Sequence, residues 1–475
     1  MSTWPVIHWF RRDLRLSDNT ALRAALRSGR PVLPLFIFDP AILRSPRTGA
    51  PRVAFMLAAL RALDEQLRAQ GSALVVRIGV PGQVLPALIR ETHAQAVYAN
   101  EDYTPYAQRR DGQLKRALPV PFHTYPDLLL RAPGEVLKED GSPLVVYTPF
   151  MKRWRALPSP ARVKGGLSGG RWVRPGEVTL EGVPDLAALG FAPTFPVPPA
   201  EERFAGKLLA RFVAGPIYQY SETRNTLVAD PFAETTPTGS SYLSPYLRFG
   251  VLSPRQVYWA AQEALQRAPN AEARKSVETY VNELIWREFY HHILFHFPHV
   301  DRGNFRPEYD AVPWRDAPDE LAAWQEGRTG YPVVDAAMRQ LQAIGWMPNR
   351  ARMIVASFLT KDLLIHWQMG ERHFMRWLID GDIAANNGGW QWAAGTGTDA
   401  QPYFRIFNPV LQSQKFDPAG HYIRHWVPEL REVPAPYVHA PWTMDNPPSS
   451  YPPPLVQHSL ARERALAAFK QAREE

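Results

Sequence analysis

The sequence predicts an α/β N-terminal domain, a Rossmann-like parallel sheet, followed by a large all-α C-terminal domain. Three observations carry that prediction. Over the first 125 or so residues, near-continuous apolar runs alternate with helix-period segments, as in a parallel sheet covered on both faces. Beyond Glu201, apolar residues recur at three- and four-residue intervals, the period of helices with one buried side. Between these regions, from about Pro126 to Pro199, periodicity weakens and turn residues gather. The expected limits are 1–130 for the α/β domain, 131–198 for a linker and 199–475 for the helical domain.

In order along the chain, Pro5–Phe10, Pro31–Phe38, Ala73–Ile78, Ala96–Ala99 and Val120–Tyr125 read as strands. Asn19–Ser28, Arg52–Gln70, Gly82–Glu91 and Tyr106–Leu118 read as the crossover helices. The first strand runs into Trp9-Phe10-Arg11-Arg12-Asp13 and not into G-x-G-x-x-G, so a standard dinucleotide-binding turn is unsupported. A ligand of this sheet should lie at the carboxyl ends of its strands, near Arg11, Asp39 and Asn100-Glu101-Asp102. The run Lys164–Gly170 lacks Gly-Lys-Ser/Thr and a preceding strand, which makes it a connector and not a phosphate loop. Glu202–Phe212, Ser253–Gln266, Ala271–Phe297, Tyr331–Ile344, Asn349–Trp367, Glu371–Leu378 and Ser459–Arg473 read as helices. Phe232–Gly239, Asp310–Pro318 and Ala393–Pro409 read as connectors that hold much of the proline excess, 47 of 475 residues.

Composition excludes several classes. No cysteine is present, which removes disulfides, thiolate zinc sites, iron–sulfur clusters and cysteine nucleophiles together. No run approaches the roughly 18 apolar residues of a membrane span, and Pro5–Phe10 lacks the flanks of a signal peptide, so the expected location is cytoplasmic. The formal charge of +8 is carried mostly by arginine. It is explained equally by an arginine-rich background or by a surface built for phosphate and nucleic acid. Fifteen tryptophans suit a large helical core, and beside arginine they also suit a planar cofactor or an unstacked base.

Three segments concentrate polar chemistry. On a helix, Glu283, Trp286, Arg287 and Tyr290 share one stripe, satisfied either by an internal salt bridge under the indole or by a polar cavity. His292 and His296 have metal-ligand spacing but no third ligand in register, which favours packed histidines over zinc. In Trp346–Met353, Asn349 reads as an N-cap, and Arg352 at a helix start needs an anion, either a structural Asp or a ligand phosphate. The run Asp380–Trp392 packs paired Asp, Asn and Gly ahead of two Trp, with few helix formers. Such a run suits hydrogen bonding around a heteroaromatic ring and its sugar-like hydroxyls.

These segments together resemble the photolyase/cryptochrome family. Asn282–Tyr290, Trp346–Met353, Asp380–Trp392, the later Gly-Thr-Asp-Ala-Gln-Pro-Tyr-Phe-Arg-Ile-Phe-Asn-Pro and the opening Trp9–Arg15 all match, and the nearest likeness is to class I cyclobutane pyrimidine dimer photolyases. The resemblance implies a helical FAD-binding and DNA-binding domain, FAD active as FADH⁻, and light-driven repair of a flipped-out dimer. It places Tyr220, Arg224, Ser240, Ser241, Leu243 and Ser244 on the FAD phosphates and ribityl chain, and Arg287 near the flavin. Asn349 is implied at the dimer, Arg352 at the isoalloxazine, Asp380 and Asp382 at the ring and ribose, and Asn386 facing flavin N5. Glu283 is implied to hold the dimer's base edge, with Trp286, Trp392 and Met353 walling it. Trp390, Trp367 and Trp314 match the relay that photoreduces FAD. Ser240 stands where relatives usually have Thr, and Asp230–Pro237 is longer than in relatives.

The resemblance also implies a second, light-harvesting chromophore, a methenyl-tetrahydrofolate, a deazaflavin or a second flavin, near Asn100 and Glu101. Damaged DNA is the expected partner, and the chain is expected to act as a monomer with no obligate protein partner. The main alternative is a photoreceptor that binds FAD and signals without repair. Glu283, Trp286, Asn349, Asn386 and Trp392 favour repair, and Met347-Pro348-Asn349 lacks the histidine expected of (6-4) photoproduct enzymes.

Overall fold

A computed structural model describes residues 4–162, 170–231 and 239–474. Most of the glycine-rich run (164–169) and of the following connector (232–238) therefore lies outside the described residues. The chain divides into two compact units, residues 1–218 with 241–298, and residues 219–240 with 299–475.

In the first unit, five parallel strands form one sheet in the order β3-β2-β1-β4-β5. They are β1 (Val6–Phe10), β2 (Val32–Phe38), β3 (Val75–Ile78), β4 (Val97–Asn100) and β5 (Phe122–Tyr125). The register runs from Val6 opposite Val32 to Phe10 opposite Phe36. β1 and β2 are buried along their whole length, because crossover helices cover both faces. The order reverses between β1 and β4, which puts the sheet's natural crevice at Arg11 and Asn100, where the sequence predicted it. Behind that crevice, Asp127 takes guanidinium groups from Arg15 and Arg255, each at 2.6 Å. Burial opposes its charge, but the two arginines outweigh burial and hold the carboxyl down to about 2. Part of the arginine excess is thus internal architecture.

The same unit contains the 26-residue helix Ala271–His296, capped by Asn270, whose side chain accepts from the Ala273 N–H at 2.8 Å. Ala273, Val277, Tyr280, Leu284 and Ile285 lie buried along it, while Glu283, Trp286, Arg287 and Tyr290 are half-buried. Two spacings from the sequence therefore sit where a helix puts them.

The second unit is helical around one large apolar cluster that includes Trp324, Val334, Met338, Leu341, Phe358, Trp367 and Trp390. Two expectations fail here. The predicted helix Asn349–Trp367 is instead an α-helix over Asn349–Ser357 and a π-helical turn over Phe358–Asp362. It then breaks at Leu364, whose φ is +52°. Trp367 opens a new helix, Trp367–Trp377, whose N-cap is His366, accepting from the Gln368 N–H at 3.2 Å. Periodicity missed the break because no Gly or Pro marks it; the buried leucine is held in the left-handed region by its surroundings. The helix start is also displaced, since Pro348 occupies the cap position and Asn349 is already helical.

The second is Asp380–Trp392, which has few helix formers yet lies mostly within the helix Ile383–Ala394. Asp382 caps it by accepting from the Ala384 and Ala385 N–H groups at 3.0 and 3.1 Å. Tertiary packing of Trp390 and the amide contacts of Asn387 and Gln391 override the weak propensity of Asn and Gly.

Candidate functional site

The helix Ile383–Ala394 has two differently occupied faces. On one, Asn387 donates to the Val300 carbonyl at 2.9 Å, and Gln391 donates to Val300, Gly303 and Asn387 while accepting from Phe305 N–H at 2.8 Å. That face is anchored. On the other, Asn386 donates to the Glu371 carbonyl at 3.0 Å, which fixes its amide plane. One turn on, Gly389 borders open space, where an added Cβ would meet nothing within 4 Å.

Just before the helix, Asp380 joins this face to the Asn349–Ser357 helix. One carboxylate oxygen accepts from Arg352 Nη2 at 2.8 Å, and Arg352 also donates to the Met347 carbonyl at 2.9 Å. Arg352's anion is thus a structural Asp. The other oxygen of Asp380, Oδ1, is buried with no hydrogen-bond partner. A buried carboxylate oxygen left unserved is costly unless a ligand donor completes it. Nearby in sequence, Asn349 is exposed and donates weakly to the Met353 sulfur at 3.7 Å, and Met353 and Trp392 are half-buried.

Arginines gather elsewhere in the same unit. Arg224 lies over the buried Tyr220 ring at 5.6 Å. Arg350 donates to Asn225 and lies over Phe416 at 4.5 Å. Burial lowers the affinity of Arg350 for its proton, and the like charges of Arg224 and Arg405 lower it further. Three guanidinium groups close enough to repel suit phosphate oxygens. Arg350 and Arg405 escaped the sequence reading, although Arg350 stands inside the Trp346–Met353 segment it singled out. Ser240 is half-buried at the edge of this unit.

Trp390 is buried, with its indole N–H unpartnered, against Phe374 at 5.0 Å and Trp324 at 6.0 Å between ring centres. The Trp367–Trp377 helix reaches it at Gly370, where a Cβ would come within 2.1 Å of the indole, so only glycine fits. Trp367 is wholly buried and donates to Asn304 at 2.8 Å. His366 lies 5.8 Å from the Trp367 ring and 5.2 Å from that of Trp314, and so links two of the expected relay members. Trp314 is half-buried.

The remaining predicted residues belong to the first unit. Trp286 stacks on Tyr147 with ring centres 3.6 Å apart and planes within 5°. That platform was not foreseen, because Tyr147 lies in the turn-rich stretch. Arg287 donates to the Leu128 carbonyl at 3.0 Å. Its neighbour Glu288 accepts from Leu130 and Arg131 N–H groups and from Trp154 Nε1. Both His292 and His296 face the Pro133 carbonyl, at 3.1 and 3.2 Å. No group of three metal-ligating side chains occurs among the described residues. The Ser241 hydroxyl bonds Tyr280, Leu243 is buried, and Ser244 opens the helix Ser244–Phe249.

At the sheet crevice, the Asn100 side chain bonds Asp13 at 2.6 Å, Asn19 at 2.8 Å and the Ala21 N–H at 2.9 Å. Arg11 pairs with Asp111, and Asp39 caps the short helix Pro40–Leu43 while accepting from Tyr106. Glu101 accepts from Tyr103 and Thr124 at 3.1 and 3.3 Å.

A half-served carboxylate, a fixed amide, an open glycine, clustered guanidiniums and a line of indoles supply the acceptors, donors and rings that a flavin nucleotide takes. The comparisons agree. The family profile described as the FAD binding domain of DNA photolyase matches residues 280–471, and the DNA photolyase profile matches residues 6–164. A deoxyribodipyrimidine photo-lyase of Synechococcus is 41% identical, covering 98% of this chain and 96% of that protein. The crystal structure of a bacterial class III photolyase from Agrobacterium tumefaciens superposes with a TM-score of 0.90 at 37% identity, covering 100% of this chain and 99% of that one. An archaeal photolyase from Sulfolobus tokodaii, solved with two FAD molecules, superposes at 0.83 with 32% identity, covering 98% and 100%. The chain belongs to the photolyase/cryptochrome family, and FAD is its cofactor. No helix among the described residues is long and apolar enough to cross a membrane.

Proposed function

We propose that the chain is a photo-lyase that uses light to split cyclobutane pyrimidine dimers in DNA. The observations that carry this reading are the half-served Asp380, the fixed amide of Asn386 and the indole line, within a chain 41% identical to a deoxyribodipyrimidine photo-lyase. Reduced FAD supplies the photoexcited electron that opens the two carbon–carbon bonds of the dimer. Every other task falls to side chains. Tyr220, Arg224, Ser240, Ser241, Leu243 and Ser244 hold the phosphates and ribityl chain, and Arg287, Arg352, Asp380, Asp382 and Asn386 hold and orient the ring system. Arg350 and Arg405 neutralise DNA phosphates, so binding weakens as salt rises.

Glu283 accepts a hydrogen bond from the dimer's base edge, while Trp286, Trp392, Met353 and Asn349 wall it. The Tyr147 stack fixes the Trp286 plane, so the wall costs little ordering on binding. Flipping is cheap because the lesion already stacks poorly in the duplex. A second chromophore near Glu101 gathers light; Asn100, fully bonded within its own unit, orients that loop. Glu283→Ala should leave FAD bound, read by absorbance, and lower the repair yield of a dimer-containing oligonucleotide under blue light. An unchanged yield removes Glu283 from the lesion site.

A further inference from the structure

We propose that the β4–β5 edge of the sheet in the first unit is a stacking surface for undamaged single-stranded DNA. In register across the parallel strands, His8, Tyr98 and His123 stand on one face, with Asn100 and Tyr125 two residues further along β4 and β5. The helix Thr20–Arg27 covers that face and is fixed there by the Asn100 side chain, which accepts from the Ala21 N–H at 2.9 Å. Its cover thins toward the edge: His8 is wholly buried, Tyr98 and Tyr125 are half-buried, and His123 is exposed. Phe122, on the opposite face, packs against the apolar cluster of the sheet. The edge therefore buries its rings on one side and leaves them open on the other.

The open rings are grouped. Tyr98 lies 4.9 Å from His123 and 6.2 Å from Tyr125 between ring centres, and the two phenol rings are parallel within 7°. At the start of the same edge, the Pro5 carbonyl accepts from the Gln95 N–H at 2.9 Å. That contact sets Trp4 beside His93, with ring centres 4.5 Å apart and both side chains exposed. Arg30 joins the two groups. It donates to the Trp4 carbonyl at 3.2 Å, and its charge draws down the Tyr98 phenol, which burial and Tyr125 push up.

Charge decides what such rings meet. The segments that build this edge, 19–38, 92–100 and 112–126, contain no Asp or Glu and carry Arg23, Arg27, Arg30, Lys115 and Arg116. Arg27, Lys115 and Arg116 are exposed. Open rings beside cations, with no carboxylate in the same segments, take bases by stacking and phosphates by charge. A duplex hides the faces of its bases, so the matching form is an unpaired strand. The choice of DNA over RNA rests on the proposed function; the surface itself shares no residue with the lesion wall or the flavin contacts.

The test uses the chain loaded with oxidised FAD and one equivalent of dimer-containing duplex to fill the lesion site. Fluorescence anisotropy follows a labelled, undamaged oligothymidylate, and a version carrying 5-iodouracil maps the contact by photocrosslinking and peptide mass spectrometry. Adducts are expected on Tyr98, His123 or Tyr125. Tyr98→Ala with Tyr125→Ala should weaken binding about tenfold, whereas Tyr98→Phe with Tyr125→Phe keeps the rings and should bind as the parent does. His123→Ala removes an exposed ring without touching the core, and should weaken binding at an unchanged melting temperature. Arg27→Glu should weaken binding and reduce its dependence on salt. Equal losses in the phenylalanine and alanine pairs would make the row edge architecture only and overturn the proposal. Adducts confined to the second unit, or unchanged affinity in the alanine pair and in His123→Ala, also overturn it. Equal binding of oligouridylate overturns the choice of DNA. A duplex that fails to bind is a failure of the dimer reading and shows in its own titration.

Discussion

Two buried carboxylates make the instructive comparison. Glu288, in the first unit, is served on both oxygens by Leu130, Arg131 and Trp154. Asp380, in the second, is served on one oxygen by Arg352 and left bare on the other. Burial is alike for the two, at 2% and 8% exposure, so burial does not separate them. The donor count does. A fully served acid is architecture, here tying the segment after β5 to the long helix, whereas a half-served acid leaves an acceptor that a ligand's donor can take.

That contrast breaks most readily at Asp380. Asp380→Asn keeps the shape and an acceptor for Arg352 but removes the charge. A charge-assisted hydrogen bond is worth ~1.5–3 kcal/mol, so FAD affinity should fall about ten- to hundredfold by flavin titration. Unchanged affinity would place the bare oxygen outside the flavin site.

Glu288 should show its role in stability and leave flavin binding alone. Burial pushes its carboxyl up to about 7 from 4.5, against the pull of its donors and Arg287. Between those values the folded chain holds a proton that the unfolded chain has released. Stability from this group is therefore full below pH 4.5 and is lost as pH rises to about 7, by about 3 kcal/mol. Glu288→Gln should flatten that fall in denaturant titrations at stepped pH, with FAD affinity unchanged. A fall as steep as in the parent chain assigns the pH dependence elsewhere.

Much of this was legible in the sequence, and the misses share a cause. Continuous apolar runs gave the five strands, because β1 and β2 are buried on both faces and need no alternation. The stripe of Glu283, Trp286, Arg287 and Tyr290 was readable because one uninterrupted helix carries it. The helix Ile383–Ala394 was not readable, since Asn-Asn-Gly-Gly disfavours a helix that only tertiary contacts stabilise. Nor was the break at Leu364, or the meeting of Arg15 and Arg255 on Asp127 across more than a hundred residues. Local pattern reports local energetics, and the site's polar groups are arranged by distant ones.

The central claim, light-driven repair of one lesion class, is tested most directly by illuminating pre-reduced, FAD-loaded protein with two oligonucleotides. One carries a cyclobutane pyrimidine dimer, the other a (6-4) photoproduct, and chromatography follows each. The account predicts light-dependent return of the first to intact pyrimidines and no change in the second. A dimer that survives illumination, with flavin bound and reduced, contradicts it.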